Sequence, residues 1–333
     1  MAEGTKREKE HLAAEILAKG KLDWRFPDEN GFSERNLDCF QLCVKEVLQW
    51  KREPELMQVF LGSFDCRHSG LLLRRMEPTL QKGWRLNRFG VVQADRIQSI
   101  IRSIFDGEGY CLIYYQAFTM PLSSYHQLYE VNHWALVIDV DDTHITIVDE
   151  TGTSEWFRDS IGRIPWEVFI ASWEKMGQGG PAFLTQQDGA SFTWDEAFIR
   201  LAGDSVRQMT VDGGLNNLKA FVRAVEDAPL PGLIAQLDRL EFDIHYFRRL
   251  RELWQTAVQK KAIPASFVRS GWVEELTYLC KGWSLVLGVV MKWKRQPERD
   301  YRDKLVDYLH QIVSMETSFF KELERMVGEQ EAC

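Results

Sequence analysis

The chain of 333 residues has no apolar run long enough for a membrane helix, which needs about eighteen to twenty residues. Its most apolar stretch, Trp283 to Trp293, is broken by Ser284 and Gly288 and runs into charges. A positive excess is missing too. The formal net charge is −8, and without a dominant basic face nucleic acid is not expected as a main partner. Met1 to Lys21 is charged throughout, without the apolar stretch of a secretory signal. Low-complexity tracts and internal repeats are absent. The six cysteines, at 39, 43, 66, 111, 280 and 333, are scattered, which suits reduced thiols better than a disulfide framework. These absences lead us to expect a soluble, cytoplasmic protein with no membrane partner.

What is present is apolar and aromatic. Hydrophobic residues make up 45% of the chain, with twelve Trp and nineteen Phe, enough for two ordinary domains or one large one. Two textures divide the sequence. Up to about residue 175, helical stretches (6–20, 39–50, 94–105, 165–175) mix with strands such as Tyr110 to Tyr115 and with Gly- and Asp-bearing turns. In the first of these helices Leu12, Ile16 and Leu17 share one side. Beyond Gly177-Gln178-Gly179-Gly180-Pro181, helical periodicity dominates: 194–202, 214–227, 230–260, 265–295 and 298–328. The fold class expected is α+β, with a catalytic domain over 1–185 (including a helical extension, 1–25) and an all-α bundle over 186–333. Trp254, Trp272, Trp283, Trp293, Phe319 and Phe320 are expected in the bundle core.

The chemistry concentrates in three residues. Asp38 is placed to cap a helix beginning at Cys39, a cap that stabilises by about 1 kcal/mol, and a helix N-terminus favours the thiolate of a cysteine. Cys43, one turn on, should point into the core. His133 opens the most regular strand of the chain, Asn132 to Val140. After the Asp141-Asp142-Thr143 turn a second strand returns to Asp149. A turn at 141–143 puts His133 opposite roughly Glu150 or Thr151, which makes Asp149 a neighbour of the imidazole. A cysteine, a histidine to take its proton and a carboxylate to orient the ring form a nucleophilic site.

Oxyanion donors are sought nearby. The place upstream of the cysteine where a Gln often serves holds Ser33-Glu34-Arg35-Asn36, so Asn36 and Gln116 are the side-chain candidates, beside the Cys39 backbone N–H. A competing reading assigns Cys39, Cys43, Cys66 and His68 to zinc, but the Cys-x-His spacing is too short for the usual knuckles, and no metal is expected. Basic residues gather at Arg74, Arg75, Lys82, Arg85 and Arg88, and again at Arg248, Arg249 and Arg251 with Lys260 and Lys261. Such runs are ordinarily solvated faces; the alternative is a docking face for an acidic partner.

The pattern Asp38-Cys39-x3-Cys43-Val44 followed by His133-x15-Asp149 resembles the papain-like cysteine peptidase domain of bacteriocin-processing transporters. It resembles still more the butirosin biosynthesis acyltransferase family, which pairs such a domain with a largely helical one. Tyr110 to Trp173 carries most of that similarity. The resemblance implies a papain-like fold for the first domain. It also implies transfer of an acyl group from a carrier-protein thioester to an amine in natural-product assembly, of nonribosomal peptide or aminoglycoside type. Cys39 would accept the acyl group, His133 would act as base and Asp149 as orienting group. An acyl or peptidyl carrier protein and a small-molecule amine are the implied partners, and phosphopantetheine enters only as part of the carrier substrate. A cysteine peptidase or amidase with the same residues, and a non-enzymatic carrier-binding scaffold, are the other readings.

Overall fold

The structure, a computed structural model, describes residues 12–20, 22–76, 79–153, 155–176, 179–187, 193–269 and 271–331. Of the helix expected over 6–20, residues 6–11 lie outside those described, and the described chain opens with helix α1 (residues 12–19) and α2 (Cys39–Trp50) and passes through the short α3 (Leu56–Phe60) to a hairpin of β1 (Arg67–Ser69) and β2 (Leu72–Arg74). It continues with β3 (Trp84–Arg88), α4 (Ala94–Glu108), β4 (Cys111–Gln116), β5 (Asn132–Val140), β6 (His144–Val148), β7 (Phe157–Arg158), β8 (Ile161–Pro165), α5 (Trp166–Met176) and β9 (Pro181–Gln186). The remainder is helical: α6 (Trp194–Val206), α7 (Gly214–Asp227), α8 (Leu230–Ala235), α9 (Leu237–Gln259), α10 (Trp272–Arg295) and α11 (Arg302–Glu331). Among the described residues no helix is long and apolar enough to cross a membrane.

Two units result, one of residues 1–56 and 83–188, the other of 57–82 and 189–333. The sequence division at 185 and 186 therefore needs one amendment, because 57–82 groups with the helical unit. The reason is local: Leu73 N–H donates to Asp243 on α9, and the Cys66 carbonyl accepts from Asn217 on α7. Strands this short carry too little periodicity to show their allegiance in sequence.

In the first unit seven strands form one sheet in the order β3-β9-β4-β5-β6-β8-β7, every neighbouring pair antiparallel. Alternation sends Cys111, Ile113 and Tyr115 of β4, with Ala135 and Val137 of β5, into one core with α4 and α5. On α4, Ile97, Ile101 and Ile104 recur at helical spacing and are buried there. Each such burial contributes about 1.5–3 kcal/mol. The other face carries Trp134, against which α2 lays Phe40 with ring centroids 5.1 Å apart. Helix α1 buries Leu12 and Ile16, and Leu17, expected beside them, is exposed. Lys19 at its end pairs with the buried Glu46 of α2 at 2.8 Å.

The β5–β6 ladder has Leu136 opposite Val148 and Val137 opposite Ile147, then shifts by one residue so that Asp139 faces Thr146. That irregularity is a β-bulge in β5.

The second unit centres on buried Trp254, Trp272, Trp283, Trp293, Phe319 and Phe320. Among them lies Arg251, fully buried, with its Nε donating to Glu316 Oε1 at 2.9 Å; Trp283 Nε1 donates to the same oxygen at 2.7 Å. The basic group around Arg251 is thus no continuous surface: Arg251 is internal, and Arg248 faces Glu252 at 3.7 Å. Its place on the apolar stripe of α9, next to Leu250 and Leu253, was the available sign.

Candidate active site

Helix α2 begins where a capping box forms. Asp38 Oδ1 accepts from Gln41 N–H at 2.8 Å, and Gln41 Oε1 accepts from Asp38 N–H at 3.1 Å. Two of the N–H groups that every helix start leaves free are satisfied this way. Cys39 is the first helical residue, fixed in position and half-buried. One turn further, Cys43 is sealed: its Sγ reaches the Trp134 carbonyl at 3.8 Å, and burial, reinforced by Cys39 and Asp149, pushes its thiol well above the ordinary range. The two cysteines differ in access, and access with thiolate character is what distinguishes a reactive cysteine from an inert one.

His133, at the start of β5, is 2% exposed. Its Nε2 donates to Asp149 Oδ1 at 2.8 Å, and Cys39 lies near enough to the same imidazole to favour its charged form. With Nε2 committed to the carboxylate, Nδ1 is the nitrogen left for the thiol. Burial opposes charge on the ring, but the Asp149 carboxylate and Cys39 outweigh it and hold the His133 pKa well above its usual value.

Asp149 is buried and densely donated to. Thr151 N–H and Thr151 Oγ1 reach Oδ1 at 2.7 and 2.8 Å, and Tyr115 O–H donates to Oδ2. Burial alone would raise its pKa; His133 and these donors reverse that and hold it below the usual carboxylate value. Thr151 accepts in turn from Ser123 Oγ at 2.8 Å. Two backbone hydrogen bonds, Ser124 N–H to the Thr151 carbonyl and Thr153 N–H to the Leu122 carbonyl, tie the loop after β4 to the loop after β6. The Tyr115 hydroxyl is held protonated well above its usual range by burial and by the facing carboxylate.

Cys39, His133 and Asp149 are brought together. Asn36 is engaged elsewhere: its Oδ1 accepts from Ser33 N–H at 3.0 Å and its Nδ2 donates to the Gly31 carbonyl at 3.0 Å, bracing the loop before α2. Gln116 ends β4 opposite Asn132, next to the Tyr115–His133 pair. By alternation it shares a sheet face with Tyr114, whose ring packs at a tilt against Trp134 at 4.8 Å between centroids. The basic cluster divides between the units: Arg74, Arg75 and Lys82 belong to one, Arg85 and Arg88 to the other. Arg75 is occupied by Asp65 at 3.4 Å and by the Tyr246 ring at 5.1 Å, which argues against one uniform patch. Cys39 and Cys43 lie in the first unit and Cys66 and His68 in the second. Among the described residues no group of three or more His, Cys, Asp or Glu is arranged to hold a metal ion.

Tyr115, Thr151 and Ser123 escape a reading based on three reactive residues. Two of them had a signal. Tyr115 pairs directly with His133 across β4 and β5, which follows once both strands are placed. Thr151 stands two residues after Asp149, the spacing at which an Asp side chain captures backbone and hydroxyl donors. Ser123 had none, since its place depends on how a loop folds over.

No model of a known protein family matches the chain, and no curated protein matches it.

Proposed function

We propose that the first unit is a papain-like cysteine acyltransferase domain working through Cys39, His133 and Asp149. The observation that supports this most is the buried Asp149–His133 pair with the half-buried Cys39 near its imidazole. A cysteine-bearing helix packed on an antiparallel sheet, with the histidine on one strand and the carboxylate just past its neighbour, favours the papain-like reading.

The chemistry runs in two halves. Cys39, giving up its proton to His133, attacks the carbonyl carbon of a thioester, and a new S–C bond forms. Collapse breaks the donor S–C bond, and the departing thiolate takes the proton from His133. An amine then attacks the acyl-Cys39, His133 removes the amine proton, and Cys39 leaves as thiolate. Asp149 keeps Nε2 protonated and the ring aligned throughout, and the Cys39 backbone N–H stands at the helix start where an oxyanion would be met. The donor is an acyl or peptidyl carrier protein, and the acceptor a small-molecule amine of a natural-product pathway.

The test is intact mass spectrometry of protein and acyl-loaded carrier mixed with and without amines. Acyl-Cys39 that persists alone and clears on adding an amine is the expected result. Rapid loss to water whatever the amine, or cleavage of peptides with no carrier present, would establish the peptidase or amidase reading. Carrier binding with no acyl-Cys39 would leave a non-enzymatic scaffold.

A further inference from the structure

The residues that follow the nucleophile and the base touch each other. Phe40, next to Cys39, packs on Trp134, next to His133, at 5.1 Å between ring centroids. Trp134 continues onto Tyr114 at 4.8 Å. Over these two rings lies the guanidinium of Arg88, 3.9 Å from the Tyr114 centroid and 5.3 Å from that of Trp134. Trp134 and Tyr114 are half-buried, and Arg88 is exposed.

Arg88 reaches these rings from β3, across β9, which lies between β3 and β4. Ile113 pairs with Pro181 on β9, so the backbone beside Tyr114 is that of Gly179 and Gly180, which bear no side chains. None would fit: a Cβ on Gly179 would collide with the Tyr114 carbonyl, and one on Gly180 with the Phe89 carbonyl. The guanidinium is thereby held over an aromatic ledge that starts beside Cys39 and His133. Two aromatic faces hold it, and no described carboxylate is within ion-pair distance. A guanidinium fixed by stacking keeps its edge N–H groups free for a planar oxyanion.

We propose that Arg88, Tyr114 and Trp134 form a donor subsite beside Cys39, selective for thioesters that carry an anionic oxygen group. The rings take the apolar or amide part of the donor chain, and Arg88 takes a carboxylate on the acyl group or the phosphate of a pantetheine arm. The proposal rests on Cys39 being the acyl acceptor.

Acylation of Cys39 is followed by intact mass with three donors sharing one acyl chain length. These are a neutral acyl thioester of N-acetylcysteamine, the same thioester with a terminal carboxylate, and the neutral acyl group on phosphopantetheine. The readout is the ratio of each anionic donor's rate constant to that of the neutral one, so that general losses in a variant cancel. The native protein should prefer at least one anionic donor by about tenfold or more, as charge-assisted bidentate recognition gives. Arg88→Gln should bring that ratio close to one, Arg88→Lys should restore part of it, and added salt should shrink it in the native protein. Preference for the carboxylate donor assigns the subsite to the acyl group, and preference for phosphopantetheine assigns it to the arm. Equal ratios in native protein and Arg88→Gln would overturn the subsite while leaving Cys39 as nucleophile. Failure of every thioester to acylate Cys39 would overturn the underlying reading and the subsite with it.

Discussion

Tyr115 and His133 face each other across β4 and β5, and both donate to one carboxylate, Asp149, through its two different oxygens. The carboxylate is pinned in its plane from both ends, and the imidazole inherits its orientation from that plane. Tyr115 is therefore a positioning residue: it touches neither thiol nor substrate, yet fixes the group that fixes the base.

Tyr115→Phe should lower the acylation rate by about tenfold or more, since misorienting a base costs at least that much. Stability should fall by about 1–3 kcal/mol, the cost of leaving a buried acceptor short of a partner. Because the hydroxyl helps hold Asp149 ionised, its removal should also move the acid limb of the pH–rate profile upward. A slower enzyme with an unmoved acid limb would mean that Tyr115 only packs.

Cys39→Ala should abolish acyl-enzyme formation and leave the fold unchanged. Cys43→Ala should retain turnover and cost about 1–2 kcal/mol, as removal of a small buried side chain does. Activity and thermal unfolding of the two variants check this, and equal loss of activity from both would argue against Cys39 as sole nucleophile.

The His133–Asp149 pair gives stability a defined pH window. The raised pKa of His133 means that its contribution is complete below about 6.5, the free value, and is lost as pH rises through the folded one. The lowered pKa of Asp149 means that its contribution is present above about 3.9, the free value, and is lost as pH falls through the folded one. Thermal unfolding of the native protein, compared with His133→Ala, should show its largest difference between these limits. A difference independent of pH would count against the charged pair.

In the second unit, Arg251→Met should destabilise by about 3–5 kcal/mol, because Glu316 would be left charged and unpaired in an apolar interior. The double change Arg251→Met with Glu316→Leu should recover most of that loss. Denaturant unfolding of both single variants and the double variant measures the coupling, and simple additivity would contradict it.

The sequence made some of this plain and hid the rest for physical reasons. The β5–β6 hairpin could be read from alternation and the Asp141–Thr143 turn, but a count centred on that turn is one residue off beside it, where Val140 faces Ile145; the bulge offsets this, and continued from Leu136 opposite Val148 the register sets His133 across from Thr151 as expected. The Asp38 cap followed from residue preference alone. In the helical half, Gly214–Asp227 falls where the periodicity placed it. The long stretch from 230 instead splits into Leu230–Ala235 and Leu237–Gln259, with the break at Gln236, four residues beyond the Pro231-Gly232 pair. Arg251 looked like surface because its charge speaks for solvent, and only its partner 65 positions away reverses that. Asn36 looked available because the spacing shows only where the backbone passes, whereas its amide is absorbed by Ser33 and Gly31 of its own loop.

The bulge between Val137 and Asp139 sets a further condition on the site. On the turn side of it Val140 faces Ile145, and on the far side Leu136 faces Val148, so one extra residue of β5 is absorbed on the way to His133. Remove that residue and all three reactive side chains survive in the sequence. The imidazole, however, would slide one place along β6 and turn to the opposite face of the sheet. Chain length between His133 and Asp149, a separation of 16 residues, is thus as much a determinant of chemistry as the identities at its two ends. Relatives of this protein should tolerate substitutions at the hairpin tip far more readily than a one-residue insertion or deletion there.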